Sequence, residues 1–191
     1  MSFLKYNLRP IAGDASYRKF YRLKQYKKNK IIIFAKKEKY KNLIAYFAVN
    51  KFLRSKNILT PKIYFHNFSK GILIVEDFGD LTYYKLLKKS KNKFSIYKKL
   101  IDLLLKIEKI KPKSSIKIIG NKKHKINNYT NDHLFKESDL FFDWYLPLFF
   151  NKKKVQNIKK KTKKILSKLY SSLNFSNSYF VHRDYHAQNL M

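Results

Sequence analysis

The spacing of apolar positions changes near residue 79. Before it, short apolar runs alternate with polar turns. Tyr17 to Leu23 interleaves aromatic and basic residues as an exposed strand does, and after the polar Lys27-Lys28-Asn29-Lys30 turn the β-branched run Ile31 to Ala35 suits a sheet interior. Arg9 to Ser16 reads as turn-forming, so this first stretch predicts a hairpin plus a third strand. Lys39 to Leu53 carries Leu43, Tyr46, Phe47 and Leu53 at helical spacing and stops before the Asn57 and Pro61 signals. Two further strands, Lys62 to Phe65 and Ile72 to Glu76, flank a turn at Ser69-Lys70-Gly71, completing a five-stranded sheet with one inserted helix.

After Gly79 the period is helical. Leu81 to Lys88 and Phe94 to Ile110 predict helices, the second ended by Pro112. Lys113 to Tyr129 reads as a polar loop, and Asp132 to Phe150 is rich in aromatics. Val155 to Leu173 sets Val155, Ile158, Ile165, Leu166, Leu169 and Leu173 on one face with lysines opposite. The last apolar piece, Tyr179-Phe180-Val181, predicts a brief strand leading into the polar cluster His182 to Asn189. The fold class expected is α+β, with a sheet lobe over 1–78 and a helical lobe over 79–191.

Composition narrows the class. The 191 residues are 45% apolar, with 15 Tyr, 16 Phe, 4 Gly and 4 Pro, which excludes a disordered or linker-like chain. There is no cysteine, so disulfides, thiolate zinc sites and cysteine nucleophiles are excluded together. No run approaches the roughly 18 apolar residues of a membrane span, and Met1 to Pro10 lacks an apolar signal core. A cytoplasmic chain is expected.

The charge is extreme: 44 Lys+Arg against 12 Asp+Glu, a formal +32 at pH 7. A basic nucleic-acid-binding or membrane-surface module is the reflex reading of such a number. The type of residue argues against it. Only Arg9, Arg18, Arg22, Arg54 and Arg183 are arginine, leaving 39 lysines, whereas phosphate recognition by planar forks favours arginine. Lys, Asn, Ile, Tyr and Phe are abundant together, the set encoded by A/T-rich codons, so the charge reads chiefly as base-composition drift. A charge-driven binder would lose affinity steeply between low and physiological salt, and this separates the two readings.

The strongest chemical signal is His182-Arg183-Asp184-Tyr185-His186-Ala187-Gln188-Asn189. It fits H-x-D-x-x-x-x-N and resembles the catalytic loop of protein-kinase-like phosphotransferases. The spacing has a physical reason. A carboxylate must accept or orient the acceptor hydroxyl proton, and an amide oxygen five residues later must reach a magnesium ion bridging the phosphates. Asp184 is thereby the candidate base and Asn189 the candidate metal ligand, while His182, Arg183 and His186 read as structural members of the loop.

With His186 the loop becomes H-x-D-x-H-x-x-N, which resembles the aminoglycoside phosphotransferase superfamily rather than protein kinases. Arg9 to Leu23 also resembles the opening of a bacterial group related to kinases that phosphorylate N-acetylmuramate and N-acetylglucosamine at the anomeric hydroxyl. The resemblance covers essentially the whole chain. It implies a protein-kinase-like two-lobed fold, an N-terminal antiparallel sheet lobe and an incomplete helical lobe. The cofactors implied are ATP and Mg2+, and the substrate a small molecule, an amino sugar of the cell-wall recycling kind, with aminoglycoside, choline and homoserine acceptors left open. It further implies that Gly13, Asp14, Ala15 and Ser16 lie over the ATP phosphates. Glu76, Asp77 and Phe78 match the inter-lobe hinge, whose backbone binds adenine. The string Asp77-Phe78-Gly79 is a decoy for the magnesium-binding D-F-G, which follows the catalytic loop instead of preceding it.

Phe135 to Pro147 resembles the acceptor-side helix of this group. Trp144 with Glu137 and Asp143 would stack on and hydrogen-bond a sugar, the alternative being that Trp144 is core. Two departures stand out. The strand that should carry the ATP-binding lysine ends in Lys36, which is only a candidate, and the next helix offers Glu38 alone as an acidic partner. The sequence also stops at Met191, before the second magnesium-binding aspartate and the closing helices that the resemblance implies, so a truncated phosphotransferase, inactive by itself, is expected.

Overall fold

The computed structural model describes residues 8–11, 18–24, 28–36, 40–174 and 176–191. It divides into two compact units, Met1–Ile126 with Tyr179–Met191, and Asn127–Ser178. The class is α+β: a five-stranded antiparallel sheet, a two-stranded hairpin and five α-helices among the described residues.

In the first unit the large sheet comprises β1 (Leu8–Ile11), β2 (Arg18–Leu23), β3 (Lys30–Ala35), β4 (Ile63–Asn67) and β5 (Ile72–Glu76). Its spatial order is β1-β2-β3-β5-β4, so β5 turns back to pair with β3, matching Ile33 with Leu73 and Ile31 with Val75. Strand alternation then points Ile33, Ala35, Leu73 and Val75 to one face. Helix α1 (Tyr40–Arg54) covers that face with Leu43 and Phe47, one turn apart, and these six residues form the main core. Removing each large side chain of this set from water contributes about 1.5–3 kcal/mol. Asn50 is buried beside them, and its amide donates to the Pro61 carbonyl at 3.0 Å. That bond ties the end of α1 to the segment entering β4 and satisfies the one buried polar side chain among the described residues.

Helices α2 (Tyr83–Lys89) and α3 (Lys93–Glu108) follow the sheet in the same unit. Ile107 and Ile110 form a second cluster with Ile58, against which Phe52, Phe180 and Tyr185 pack. None of the helices is long and apolar enough to cross a membrane, among the described residues.

Three local expectations are corrected. Leu8–Ile11 is a strand, although Arg9 to Ser16 reads as a turn; β1 lies at the sheet edge, the position in a sheet that admits a residue such as Pro10 without an N–H. The polar stretch Lys113 to Tyr129 contains a hairpin, β6 (Ser115–Lys117) with β7 (Lys123–Lys125), nucleated by the buried Ile116 and lying against α1. Conversely, Tyr179-Phe180-Val181 forms no strand. Phe180 instead drops into the second cluster, its ring 5.6 Å from that of Phe52.

The second unit holds α4 (Asn131–Leu140), a π-helical turn (Phe141–Tyr145), a 3-10 turn (Leu146–Leu148) and α5 (Lys152–Ser171). Thr130 and His133 cap α4 reciprocally, and the Asn151 side chain caps α5 by accepting from the Lys154 amide at 3.0 Å. The wide turn rotates Phe142 and Leu146 inward onto Val155, leaving Phe141 and Tyr145 outside with their rings stacked at 5.4 Å. Lys159 and Lys163 bridge α5 to Asp139, at 3.1 and 2.7 Å, and Lys159 also reaches Asp143 at 2.6 Å.

The Lys163 ammonium, followed by Lys159, holds the Asp139 carboxyl below its ordinary range. A depressed folded-state value means that stabilisation is present above the unfolded carboxylate pKa of about 4 and is lost as pH falls through the folded value. Thermal melting between about pH 5 and pH 3 should therefore show acid destabilisation that Asp139→Asn reduces. An unchanged acid profile in that variant would discount the bridge.

Candidate functional site

The cluster His182 to Asn189 folds into a tight exposed loop. Asn189 donates through Nδ2 to the Asp184 carboxylate at 2.6 Å and to the Asp184 carbonyl at 3.2 Å. Its backbone N–H donates to the His186 carbonyl at 3.0 Å. The five-residue interval thus closes on itself, bringing carboxylate and amide into contact. With Nδ2 committed to Asp184, Oδ1 is the side chain's remaining acceptor, the hard oxygen a divalent cation prefers.

His186 faces the other carboxylate oxygen, its Nε2 3.4 Å from Asp184 Oδ1. The Gln188 amide donates to His186 Nδ1 at 3.3 Å, which makes Nδ1 an acceptor and Nε2 the protonated nitrogen turned toward Asp184. Asp184 is thereby flanked on one oxygen by Asn189 and on the other by His186, with its side chain still 73% exposed and open to a substrate. Arg183 adopts φ +69, a left-handed conformation that reverses the chain just before Asp184.

Two aromatic residues anchor the loop from below. The Tyr185 hydroxyl donates to the Leu100 carbonyl on α3, and burial raises its pKa above the ordinary tyrosine value. His182 meets the Tyr185 ring edge-on at 5.5 Å. The end of the loop caps α2. The first free amides of that helix, on Tyr83 and Tyr84, donate to the carbonyls of Leu190 and Ala187, each at 2.9 Å. Residues remote in sequence are joined by this contact, because α2 begins directly after the segment Glu76 to Asp80.

That segment is shaped by Arg22 on β2. Its Nε donates to Asp77 Oδ2 at 2.6 Å and its Nη1 to Asp80 Oδ2 at 2.9 Å. Nη2 reaches Asp77 Oδ1 at 3.1 Å, Asp80 Oδ1 at 2.9 Å and the Gly79 carbonyl at 3.0 Å. Asp80 and Asp77 raise the guanidinium pKa further, and Arg22 lowers that of Asp80. Both carboxylates are thus engaged, and neither is a free oxygen donor for a metal. Glu76 is also engaged, accepting from the Lys62 amide at 3.1 Å. The peptide groups of Phe78 pair with none of the described residues.

The remaining candidates are scattered. Gly13, Asp14, Ala15 and Ser16 lie outside the described residues, as does Glu38. Lys36 follows β3, exposed and with no carboxylate partner among the described residues. Trp144 is 75% exposed, which overturns its alternative reading as core. Glu137 accepts from the Tyr129 hydroxyl at 3.1 Å and Asp143 from Lys159, all within the second unit. The roles of Arg22 and Tyr185 are not evident in the sequence. The one hint is chemical: Arg22 is a rare arginine among lysines, and Asp77 and Asp80 are spaced to share a planar fork.

As for magnesium, the residues present fit part of a site. Asn189 Oδ1, beside the Asp184 carboxylate, suits a cation that keeps waters and phosphate oxygens as its other ligands, but no group of three or more His, Asp or Glu able to hold a metal exists among the described residues.

No family model matches the chain. It is 24% identical over 185 residues to an N-acetylmuramate/N-acetylglucosamine kinase of Pseudomonas putida, covering 97% of this chain and 51% of that protein. A protein of the same name from Pseudomonas aeruginosa is 24% identical over 182 residues, covering 95% of this chain and 50% of the relative. The chain spans about half the length of the curated relatives it matches, and its similarity to kinases is distant.

Proposed function

We propose that this chain carries the nucleotide-binding and catalytic-loop part of an ATP-dependent phosphotransferase acting on a small-molecule hydroxyl, an amino sugar of the N-acetylmuramate/N-acetylglucosamine type. The observation that carries the reading is the Asp184–Asn189 contact at 2.6 Å, in a loop docked on the helix that begins just after Glu76 to Asp80. The distant similarity to two sugar kinases supports it and suggests the acceptor.

In this reading Asp184 orients the acceptor hydroxyl and takes its proton as the oxygen bonds to the γ-phosphorus of ATP, whose bond to the β–γ bridging oxygen breaks to release ADP. Asn189 would offer Oδ1 to the cation, while its Nδ2 holds the Asp184 carboxylate in place. Magnesium, bound with the nucleotide, would supply neutralisation of the phosphate charge. Lys36 and Gly13 to Ser16 would face the phosphates, and the Phe78 backbone would meet the adenine edge. Trp144, with Glu137 and Asp143, is the proposed sugar platform.

A charge argument sets the expected behaviour of the 191 residues alone. Phosphoryl transfer needs its metal ions held against charge spreading over the γ-phosphate oxygens, and Asn189 is a neutral ligand beside a single carboxylate. With Asp77 and Asp80 committed to Arg22, no further carboxylate stands ready among the described residues. The 191-residue chain should bind nucleotide weakly and phosphorylate N-acetylmuramate or N-acetylglucosamine at background. A protein extended to the length of the relatives should show magnesium-dependent transfer, followed by mass spectrometry of the sugar phosphate. Robust transfer by the 191 residues would refute this assignment of the metal ligands; no transfer by the extended protein, to either sugar, would refute the acceptor.

A further inference from the structure

We infer that Arg22 is a positioning residue for base recognition, acting through the peptide groups of Phe78; the inference rests on the adenine-binding role proposed for that segment. One guanidinium holds two carboxylates bidentately, Asp77 through Nε and Nη2 and Asp80 through Nη1 and Nη2, and also holds the Gly79 carbonyl. Two bidentate carboxylates use the donor fork to its geometric limit, an arrangement that a lysine ammonium cannot reproduce.

The arrangement acts at a distance from its own strand. Arg22 pairs with Ile31 on β3, and Ile31 with Val75 on β5, so the side chain reaches across β3 to the segment leaving β5. The Asp77 side chain is only 5% exposed and meets Arg22 away from bulk water, whereas that of Asp80 is 67% exposed and closes the turn from outside. Asp77 Oδ1 also accepts from the Gly79 amide at 2.8 Å, and Gly79 sits at φ +89. The residues on both sides of Phe78 are therefore pinned, and its own N–H and carbonyl are left without partners among the described residues. A donor and an acceptor held by a rigid frame select between bases. Adenine offers an acceptor N1 beside a donor N6, and guanine presents the reverse pair.

The test is equilibrium binding of ATP and GTP to the 191-residue chain at physiological salt, where both nucleotides bring the same charge. The unaltered chain should prefer ATP by about tenfold, the worth of one hydrogen bond gained and one mismatch avoided. Arg22→Lys, which keeps the charge and loses the fork, should reduce the preference to near unity by weakening ATP alone, leaving GTP binding and the circular dichroism spectrum unchanged. Asp80→Asn, a milder change at an exposed position, should give an intermediate loss. No preference in the unaltered chain would overturn the adenine-binding reading and this inference with it. A preference that survives in folded Arg22→Lys would overturn this inference alone. Loss of fold in both variants would also overturn it, since the fork would then be needed only for structure.

Discussion

Replacing Asp184 by Asn in an active, extended form of the protein should lower turnover by about a thousandfold while ATP affinity stays within about twofold. The substitution keeps the side-chain shape: the new amide oxygen can still accept from Asn189 Nδ2, where the contact is now 2.6 Å, while the amide nitrogen replaces the oxygen that His186 Nε2 faces at 3.4 Å. What disappears is the negative charge proposed to take the acceptor proton. Because the proposed role acts on the hydroxyl and not on adenine, the loss should fall on kcat and leave nucleotide binding in place. Steady-state kinetics with the sugar, together with direct ATP titration, check both halves. Near-normal turnover would remove Asp184 from the reaction, and an equal loss of ATP binding would mark the loop as merely structural.

Gly71→Ala should destabilise the first unit by about 3 kcal/mol, combining left-handed strain with a steric conflict. Gly71 has φ +64, and a Cβ placed on it would lie 2.0 Å from the backbone oxygen of Ala35. That oxygen cannot swing aside, because Ala35 is 1% exposed in the core and its own amide donates to the Gly71 carbonyl at 2.9 Å. Relief would require β3 and the β4–β5 turn to separate, disturbing the strand that leads to Glu76 and Asp77. Gly79 is the control: it too has positive φ, but a Cβ added there would meet nothing within 4 Å, so Gly79→Ala should cost only about 1–2 kcal/mol. Urea denaturation of the two variants compares them directly. Equal midpoints would show that the Ala35 contact does not constrain the turn.

Much of the secondary structure is legible in the sequence because its causes are local. The β-branched run Ile72 to Glu76 is a strand with those bounds, and the helical spacing from Lys39 to Leu53 becomes α1 at Tyr40–Arg54. The elements that depart from expectation depend on neighbours. Lys123 to Lys125 has no apolar alternation and becomes a strand because it pairs with β6, whose Ile116 finds a buried place. Tyr179 to Val181 has the composition of a strand but no strand partner, and Phe180 gains more by entering the cluster around Ile58 and Ile107.

The candidate site divides in the same way. Asp184 and Asn189 are near in sequence, so the chain's own geometry allows an amide five residues on to reach back to the carboxylate, and the spacing alone identifies the pair. The loop's seat is invisible in the sequence, since it consists of backbone carbonyls of Ala187 and Leu190 meeting the open amides of α2, groups every residue possesses. The role of Arg22 is hidden for a related reason. Its partnership with Asp77 and Asp80 exists only after β2, β3 and β5 have paired in register, because only that pairing carries a guanidinium on the second strand to carboxylates beyond the fifth. Residue chemistry and short-range period determined which groups were available; the long-range strand order decided which of them could touch.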